Sequence, residues 1–393
     1  MSDFTKTIHF IKELYSGKDF IPLHEPKFIG NEKLYVNDAI DSTFVSSVGQ
    51  YVNRFEEDIA KVAGTKYAVA TVNGTAALHI ALQIAGVKQN ELVICQALTF
   101  VATCNAISYL GAEPVFIDVD ADTLGMSAQS LEKWLENNTY QKIDEERGSI
   151  TVFHQQTHQR IAAIVPMHTF GNPCRIESLD FIASKYNLPL IEDAAESLGS
   201  YYNNKHTGSF GLMGTFSFNG NKTITCGGGG AIVTNDKNLA QLAKHLTTQA
   251  KVPHAWEFNH DMIGYNYRMP NLNAALACAQ LENLSSFVAN KRKTAKLYLE
   301  FFETINSIKF ISETNDGQSN YWLNAIMLEN RDARDEFLKQ SNAQGVMTRP
   351  VWNLMHQLPM FKNCLRDDLS NSLFLADRIV NIPSSVNFSE ENN

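Results

Sequence analysis

From Tyr67 onward the chain alternates short apolar runs with stretches of helical periodicity, and this rhythm restricts the fold more than any other feature. Residues 67–72 read as a strand, and Asn73-Gly74-Thr75 reads as a turn entering a helix through Leu82. Residues 92–95, 114–119, 162–167 and 188–191 read as further strands. Helical stretches fall at 99–110, around 131–135, and between 167 and 188. These strand runs are apolar throughout instead of alternating, so both faces are buried. The pattern predicts an α/β fold, a mostly parallel sheet sandwiched by helices.

Residues 138–160 break the rhythm with Glu145-Glu146-Arg147-Gly148 and with His154 and His158, four apart. A solvated loop is expected there. Two histidines without a third ligand do not make a metal site. After Pro270, the apolar positions Leu272, Ala275, Leu276, Ala279 and Leu281, continuing to Tyr298 and Phe302, predict one long linking helix. With 393 residues the chain exceeds one ordinary core. A large domain over 1–270, with an N-terminal arm, and a smaller α/β unit over 271–393 are expected. The smaller unit would carry a strand at 321–328, a helix at 331–340 and a strand near 346–351.

A formal charge of -9 leaves no basic surplus for nonspecific nucleic-acid binding. No run approaches the ~20 apolar residues of a membrane span, and the first residues lack the apolar core of a signal peptide. The six cysteines are scattered without a CxxC pair, as expected of reduced thiols in the cytoplasm.

Chemistry concentrates at Phe216-Ser217-Phe218-Asn219-Gly220-Asn221-Lys222, followed shortly by Gly227 to Gly230. A lysine amine between a hydroxyl-bearing strand and glycines suits an aldehyde cofactor with a phosphate tail, because the amine condenses with the aldehyde to a Schiff base. Alone, the stretch reads equally as a surface lysine beside a glycine-rich hairpin. Other segments point the same way. Asn73-Gly74-Thr75-Ala76 opens a helix whose free amides suit a phosphate, or is an ordinary capped start. Asp193 in Ile191-Glu192-Asp193-Ala194-Ala195-Glu196 ends a strand, at the sheet edge where ligands bind in such folds. A carboxylate there suits a protonated pyridine nitrogen; a helix cap is the bland alternative. Phe100 is placed to stack on a flat ring or to pack in the core. Gly264-Tyr265-Asn266-Tyr267-Arg268 is a binding loop or a plain connector.

Taken in order, Asn-Gly-Thr-Ala-Ala-Leu, Thr-Phe-Val-Ala-Thr, Pro-Met-His-Thr-Phe-Gly-Asn-Pro, Glu-Asp-Ala-Ala-Glu-Ser, Phe-Ser-Phe-Asn-Gly-Asn-Lys and Gly-Tyr-Asn-Tyr-Arg-Met-Pro resemble the DegT/StrS nucleotide-sugar aminotransferases over nearly the whole chain. More narrowly, Phe218 to Lys222 with the following glycines resembles the LegC-type branch. The resemblance implies the aspartate-aminotransferase fold (fold type I) and pyridoxal 5′-phosphate (PLP). It implies amino transfer from L-glutamate to a 4-keto-6-deoxy sugar nucleotide, UDP- or GDP-linked. It further implies that Lys222 forms the Schiff base, Asp193 pairs with the pyridine nitrogen and Phe100 stacks on the ring. Gly74, the amides of Thr75 and Ala76, and the Ser217 hydroxyl would hold the phosphate. Asn266 would reach the phosphate of a neighbouring subunit in a homodimer. Glu196, where many relatives have glutamine, would lie near the cofactor 3-oxygen. His168, Asn219 and Arg349 are candidate substrate contacts, His168 being equally a structural histidine and Arg349 a surface arginine.

Four alternatives compete, one being a cysteine desulfurase of the same fold, which would need a reactive cysteine on a mobile loop where none of the six has an evident activating neighbour. A PLP-dependent sugar dehydratase would carry histidine in place of Lys222. A non-catalytic regulator would need a DNA-binding appendage, for which the first twenty residues are too few. A dinucleotide-binding oxidoreductase is disfavoured because Gly227–Gly230 precedes a strand and is not G-x-G-x-x-G.

Overall fold

The computed structural model describes residues 2–144 and 148–388. Its centre is a sheet of seven strands: β1 (Tyr67–Thr71), β2 (Leu92–Gln96), β3 (Glu113–Ile117), β4 (Ile161–Val165), β5 (Ile191–Asp193), β6 (Met213–Ser217) and β7 (Gly230–Thr234). One set pairs as β1-β7-β6-β5 and the other as β4-β2-β3. Bridges Ile164 to Leu190 and Met167 to Asp193 join the two sets. Only β7 runs against its neighbours; the rest are parallel, as the apolar runs require. Helices Gly74–Ile84, Val101–Tyr109, Ala128–Asn138 and Ile176–Lys185 make crossovers. The first is buried on almost every side from Ala76 to Leu82, consistent with its near-absence of polar residues.

The parallel arrangement brings the carboxyl ends of β1, β5 and β6 to one edge. Thr71, Asp193 and Ser217 end their strands there, and the loops that follow carry the residues of interest.

Three expectations need correction. Residues 138–160 are not a solvated loop. Thr139–Asp144 and Ser149–His154 form an antiparallel hairpin, driven by the β-prone Ile150-Thr151-Val152-Phe153, with Val152 fully buried. Residues 145–147, part of the same expectation, lie outside the described residues. His154 stacks on Trp134 with the rings 7° from parallel, and its Nδ1 lies 3.0 Å from Thr157 Oγ1. Among the described residues no group of three or more His, Cys, Asp or Glu is arranged to hold a metal, and no helix is long and apolar enough to cross a membrane.

Second, the linking helix is two helices, Asn271–Glu282 and Leu284–Phe302, meeting at Asn283. Third, the N-terminal segment does not pack with the sheet. The helix Asp3–Leu14 buries Ile8 and Ile11 in one cluster with Tyr298, Phe302, Phe337, Val380 and Ile382. Phe10 stacks on Phe301 at 4.1 Å. The expected division at residue 270 assigns this arm to the large domain, yet its side chains complete the C-terminal core. That core also contains an antiparallel sheet ordered Lys309–Phe310, Asn324–Met327, Ile379–Ile382, Arg349–Pro350. The helix Arg331–Ala343, capped by the Asn330 side chain, packs on it.

Candidate active site

A cleft of about 210 Å³ opens at the carboxyl edge of β1, β5 and β6. At one end the helix Gly74–Ile84 begins. Its cap is Asn73, whose Oδ1 accepts the Ala76 amide at 2.8 Å. The Gly74 and Thr75 amides are left at the head of the helix, on the cleft wall. Gly74 is required by contact: a Cβ there would stand 2.8 Å from the Ser217 Cβ. The missing side chain lets the helix start touch the end of β6 and brings amides and hydroxyl to one corner.

Asp193 stands deeper in the cleft, at the end of β5, almost inaccessible to solvent. Its Oδ2 accepts the Thr103 hydroxyl at 2.7 Å and its Oδ1 accepts the Ala195 amide at 3.2 Å. Thr103 is itself paired with Thr99, 3.0 Å between hydroxyls. Phe100 caps the helix Val101–Tyr109 and lines the cleft, the residue 48% exposed. So large an apolar surface left open beside polar groups is what a planar ligand would cover.

Lys222 enters from the loop after β6. Its Nζ lies 3.3 Å from Glu196 Oε1 and 4.0 Å above the Trp322 ring. Glu196 is buried, and burial pushes its pKa up to about 7; Lys222 and the Phe170 amide pull against that rise, and Asp193 adds to it. Its other oxygen accepts the Phe170 amide at 2.9 Å. Phe170 holds φ at 58°, a left-handed backbone rarely adopted by a bulky residue. Such strain persists only where surroundings enforce it, and it clusters at functional sites.

The DegT/DnrJ/EryC1/StrS aminotransferase family profile matches residues 27–393. GDP-perosamine synthase of Escherichia coli O157:H7 is 38% identical over 378 residues, covering 95% of each chain. The putative pyridoxal phosphate-dependent aminotransferase EpsN of Bacillus subtilis is 36% identical, covering 94% of this chain and 92% of the relative. A crystal structure of a DegT/DnrJ/EryC1/StrS aminotransferase from Brucella abortus superposes with a TM-score of 0.81 at 26% identity, covering 92% and 91%.

The chain belongs to the DegT/DnrJ/EryC1/StrS aminotransferase family.

As a DegT/DnrJ/EryC1/StrS aminotransferase it is an enzyme and uses PLP, and the cleft fits that group on its own geometry. Amides and a hydroxyl meet where a phosphate would sit, in a corner that a Cβ on residue 74 would fill. A carboxylate with fixed orientation stands deeper, an open aromatic face lies along the cleft, and an amine hangs over it. Of the residues expected from the sequence, Gly74, Thr75, Phe100, Asp193, Glu196, Ser217, Asn219 and Lys222 all line this one cleft.

Four others do not. The Ala76 amide is occupied by the Asn73 cap, because an asparagine before a helix satisfies that donor itself. His168 is fully buried: its Nε2 lies 3.1 Å from Glu192 Oε2 and its Nδ1 3.3 Å from the Cys174 amide. Burial opposes its charge, but Cys174 and the Glu192 carboxylate outweigh burial and raise its pKa to about 10. Arg349 points its guanidinium at Asn342 Oδ1 and its neighbour's carbonyl, on an exposed edge strand outside the cleft. Asn266 is exposed and likewise outside, its Oδ1 accepting from Arg268 Nε at 3.3 Å.

Four site residues escaped the sequence reading: Thr103, Phe170, Asn320 and Trp322. Thr103 lies one helical turn after Thr99 in a motif already noted, so spacing carried a signal. The other three reach the site only through long-range packing.

Proposed function

We propose that this protein moves an amino group from L-glutamate to C4 of a UDP- or GDP-linked 4-keto-6-deoxy hexose. The favoured substrate is a 2-acetamido-2,6-dideoxy sugar, on a route to legionaminic-acid-like or other surface glycans. The observation that carries the reading is the meeting of the Lys222 amine, the Glu196 carboxyl and the Asp193 carboxylate in one cleft headed by a helix N-terminus. The similarity to proteins named GDP-perosamine synthase supports a sugar-nucleotide acceptor.

When bound, PLP supplies an electron-accepting ring next to the carbon that gains or loses the amino group. The Gly74 and Thr75 amides and the Ser217 hydroxyl anchor the phosphate end. Asp193 holds a proton on the ring nitrogen, and Thr103 and the Ala195 amide keep its carboxylate turned that way. Phe100 covers one ring face and keeps water off it. Glu196 would carry a proton toward the cofactor's ring oxygen; a proton on this carboxyl would remove the repulsion between two oxyanions. Lys222 would supply the amine that holds the cofactor's aldehyde and, once freed, a base able to move a proton at its Nζ. Asn219, at the exposed rim, contacts the sugar.

The active form we propose is a homodimer in the cytosol. The six free thiols of each chain suit a reducing compartment. Trp256, Phe258 and Ile263 are each more than three-quarters exposed on the loop leading to Asn266. A groove of about 700 Å³ lined by Phe44, Val48 and Arg268 adds apolar surface suited to a second copy. In that dimer Asn266 reaches the partner's cofactor phosphate.

Glutamate added alone should release 2-oxoglutarate, and mass spectrometry of a panel of 4-keto sugar nucleotides with glutamate should show one converted to an amino sugar. Loss of a sugar hydroxyl without amine incorporation would identify a dehydratase and overturn the proposal. Lys222→Ala should abolish both the visible band of the bound cofactor and turnover.

A further inference from the structure

Residues 319–322 precede the C-terminal strand Asn324–Met327, far in sequence from the cofactor segments, yet they wrap around the Lys222 amine. Trp322 is buried, with the Lys222 Nζ 4.0 Å above its ring. Its indole Nε1 donates to the Asn221 carbonyl at 2.6 Å, one residue before the lysine. Asn320, fully buried, donates through Nδ2 to the Glu196 carbonyl at 2.9 Å, the Leu198 carbonyl at 2.8 Å and Thr223 Oγ1 at 3.2 Å. Its Oδ1 accepts the Trp322 amide at 2.8 Å. The buried Lys291 donates to the Trp322 carbonyl at 3.1 Å. Between Asn320 and Trp322, Tyr321 takes a left-handed φ of 48°, a strained backbone that these bonds hold in place. The segment therefore grips the lysine loop on both sides of residue 222 and the loop that carries the lysine's acidic partner.

We propose that Asn320 and Trp322 are positioning residues for the catalytic lysine: the Trp322 face and the Glu196 carboxyl form a dock that receives the Lys222 amine whenever it is released, and Asn320 fixes the two walls relative to each other. The inference rests on the reading of Lys222 as the cofactor-linked lysine. A cation over an aromatic face is attracted by the ring quadrupole, and more strongly when partly desolvated. A defined resting place also shortens the search for the aldehyde carbon at each cycle.

Two measurements test it. In protein carrying 5-fluorotryptophan, the Trp322 fluorine resonance, assigned by its loss in Trp322→Phe, should move when Lys222→Ala is introduced into the cofactor-free protein. An unmoved resonance would overturn the dock, and the only Trp322 variant this needs is the aromatic-conserving phenylalanine one used for assignment. In reconstitution with PLP, Trp322→Leu should form the visible band about tenfold more slowly and lower kcat for the glutamate half-reaction with little change in KM. Trp322→Phe, which keeps an aromatic face, should stay within about threefold of wild type. Equal rates for Trp322→Leu and wild type, or equal losses in the leucine and phenylalanine variants, would refute the role of the ring face. Borohydride reduction and peptide mapping separate the two levels. A cofactor linked elsewhere than Lys222 defeats the functional reading itself, whereas a link at Lys222 with unaffected Trp322 variants defeats only this inference.

Discussion

Replacing Glu196 by glutamine removes an acid that holds its proton much more tightly in the folded chain than in the unfolded one. Burial raises its pKa from 4.5 to about 7, even against the pull of Lys222 and the Phe170 amide. Between those values the folded chain binds a proton that the unfolded chain has given up. Protonation therefore favours the fold: the contribution is complete below pH 4.5 and is lost as the pH climbs to about 7. A rise of roughly 2.5 pH units, at roughly 1.4 kcal/mol each, comes to about 3 kcal/mol. The carboxyl is almost inaccessible to water, so screening takes little from this figure. Urea unfolding of the cofactor-free protein, wild type beside Glu196→Gln, across pH 4.5 to 7.5 isolates the effect, because every other titrating group is common to both. Wild type should lose about 3 kcal/mol relative to the variant over that range. Parallel curves, or a gap that widens in the opposite direction, would refute the assignment of a tightly held proton to this carboxyl.

Gly74→Ala should weaken PLP binding about tenfold or more by equilibrium dialysis, since its Cβ would meet Ser217 and overpacking costs ~1–3 kcal/mol. Thr103→Val keeps the shape but removes a donor from Asp193; kcat should fall about tenfold, given ~1.5 kcal/mol for a hydrogen bond to a charged group, with the cofactor still bound. His168→Asn should cost ~1.5–3 kcal/mol in thermal or urea unfolding by weakening one hydrogen bond to the buried Glu192, which keeps the Gly208, Phe210 and Gly211 amides. It should leave the visible spectrum of the folded enzyme unchanged; a lost spectrum in a still-folded variant would return His168 to the active site.

The sheet was legible because each strand is a short, uniformly apolar run followed by a helix. The hairpin at 139–154 was not, because Gln141, Lys142 and Asp144 make its first strand look polar while Val152 and the stacked His154 do the packing. Most of the cleft was legible for a topological reason. Asp193 and Ser217 end β5 and β6, Gly74 and Lys222 follow β1 and β6, and parallel strands deliver such residues to one edge. Adjacency misled at His168: it follows Met167, which lines the cleft, but its ring turns to Glu192. Asn320 and Trp322 were invisible because no local pattern says that a segment from the C-terminal unit will fold back over a lysine some hundred residues earlier.

The packing of the first helix against the last strands has a consequence for biogenesis. On the ribosome, Ile8, Phe10 and Ile11 are made long before the surfaces that cover them, around Phe301, Phe337 and Val380. At about 5–20 residues per second the amphipathic arm stays uncovered for roughly 15–75 seconds of synthesis. Shielding by a chaperone, or a solubilising tag fused ahead of Ser2, should therefore raise the yield of native protein more than either would for a chain whose opening segment folds onto its immediate successors.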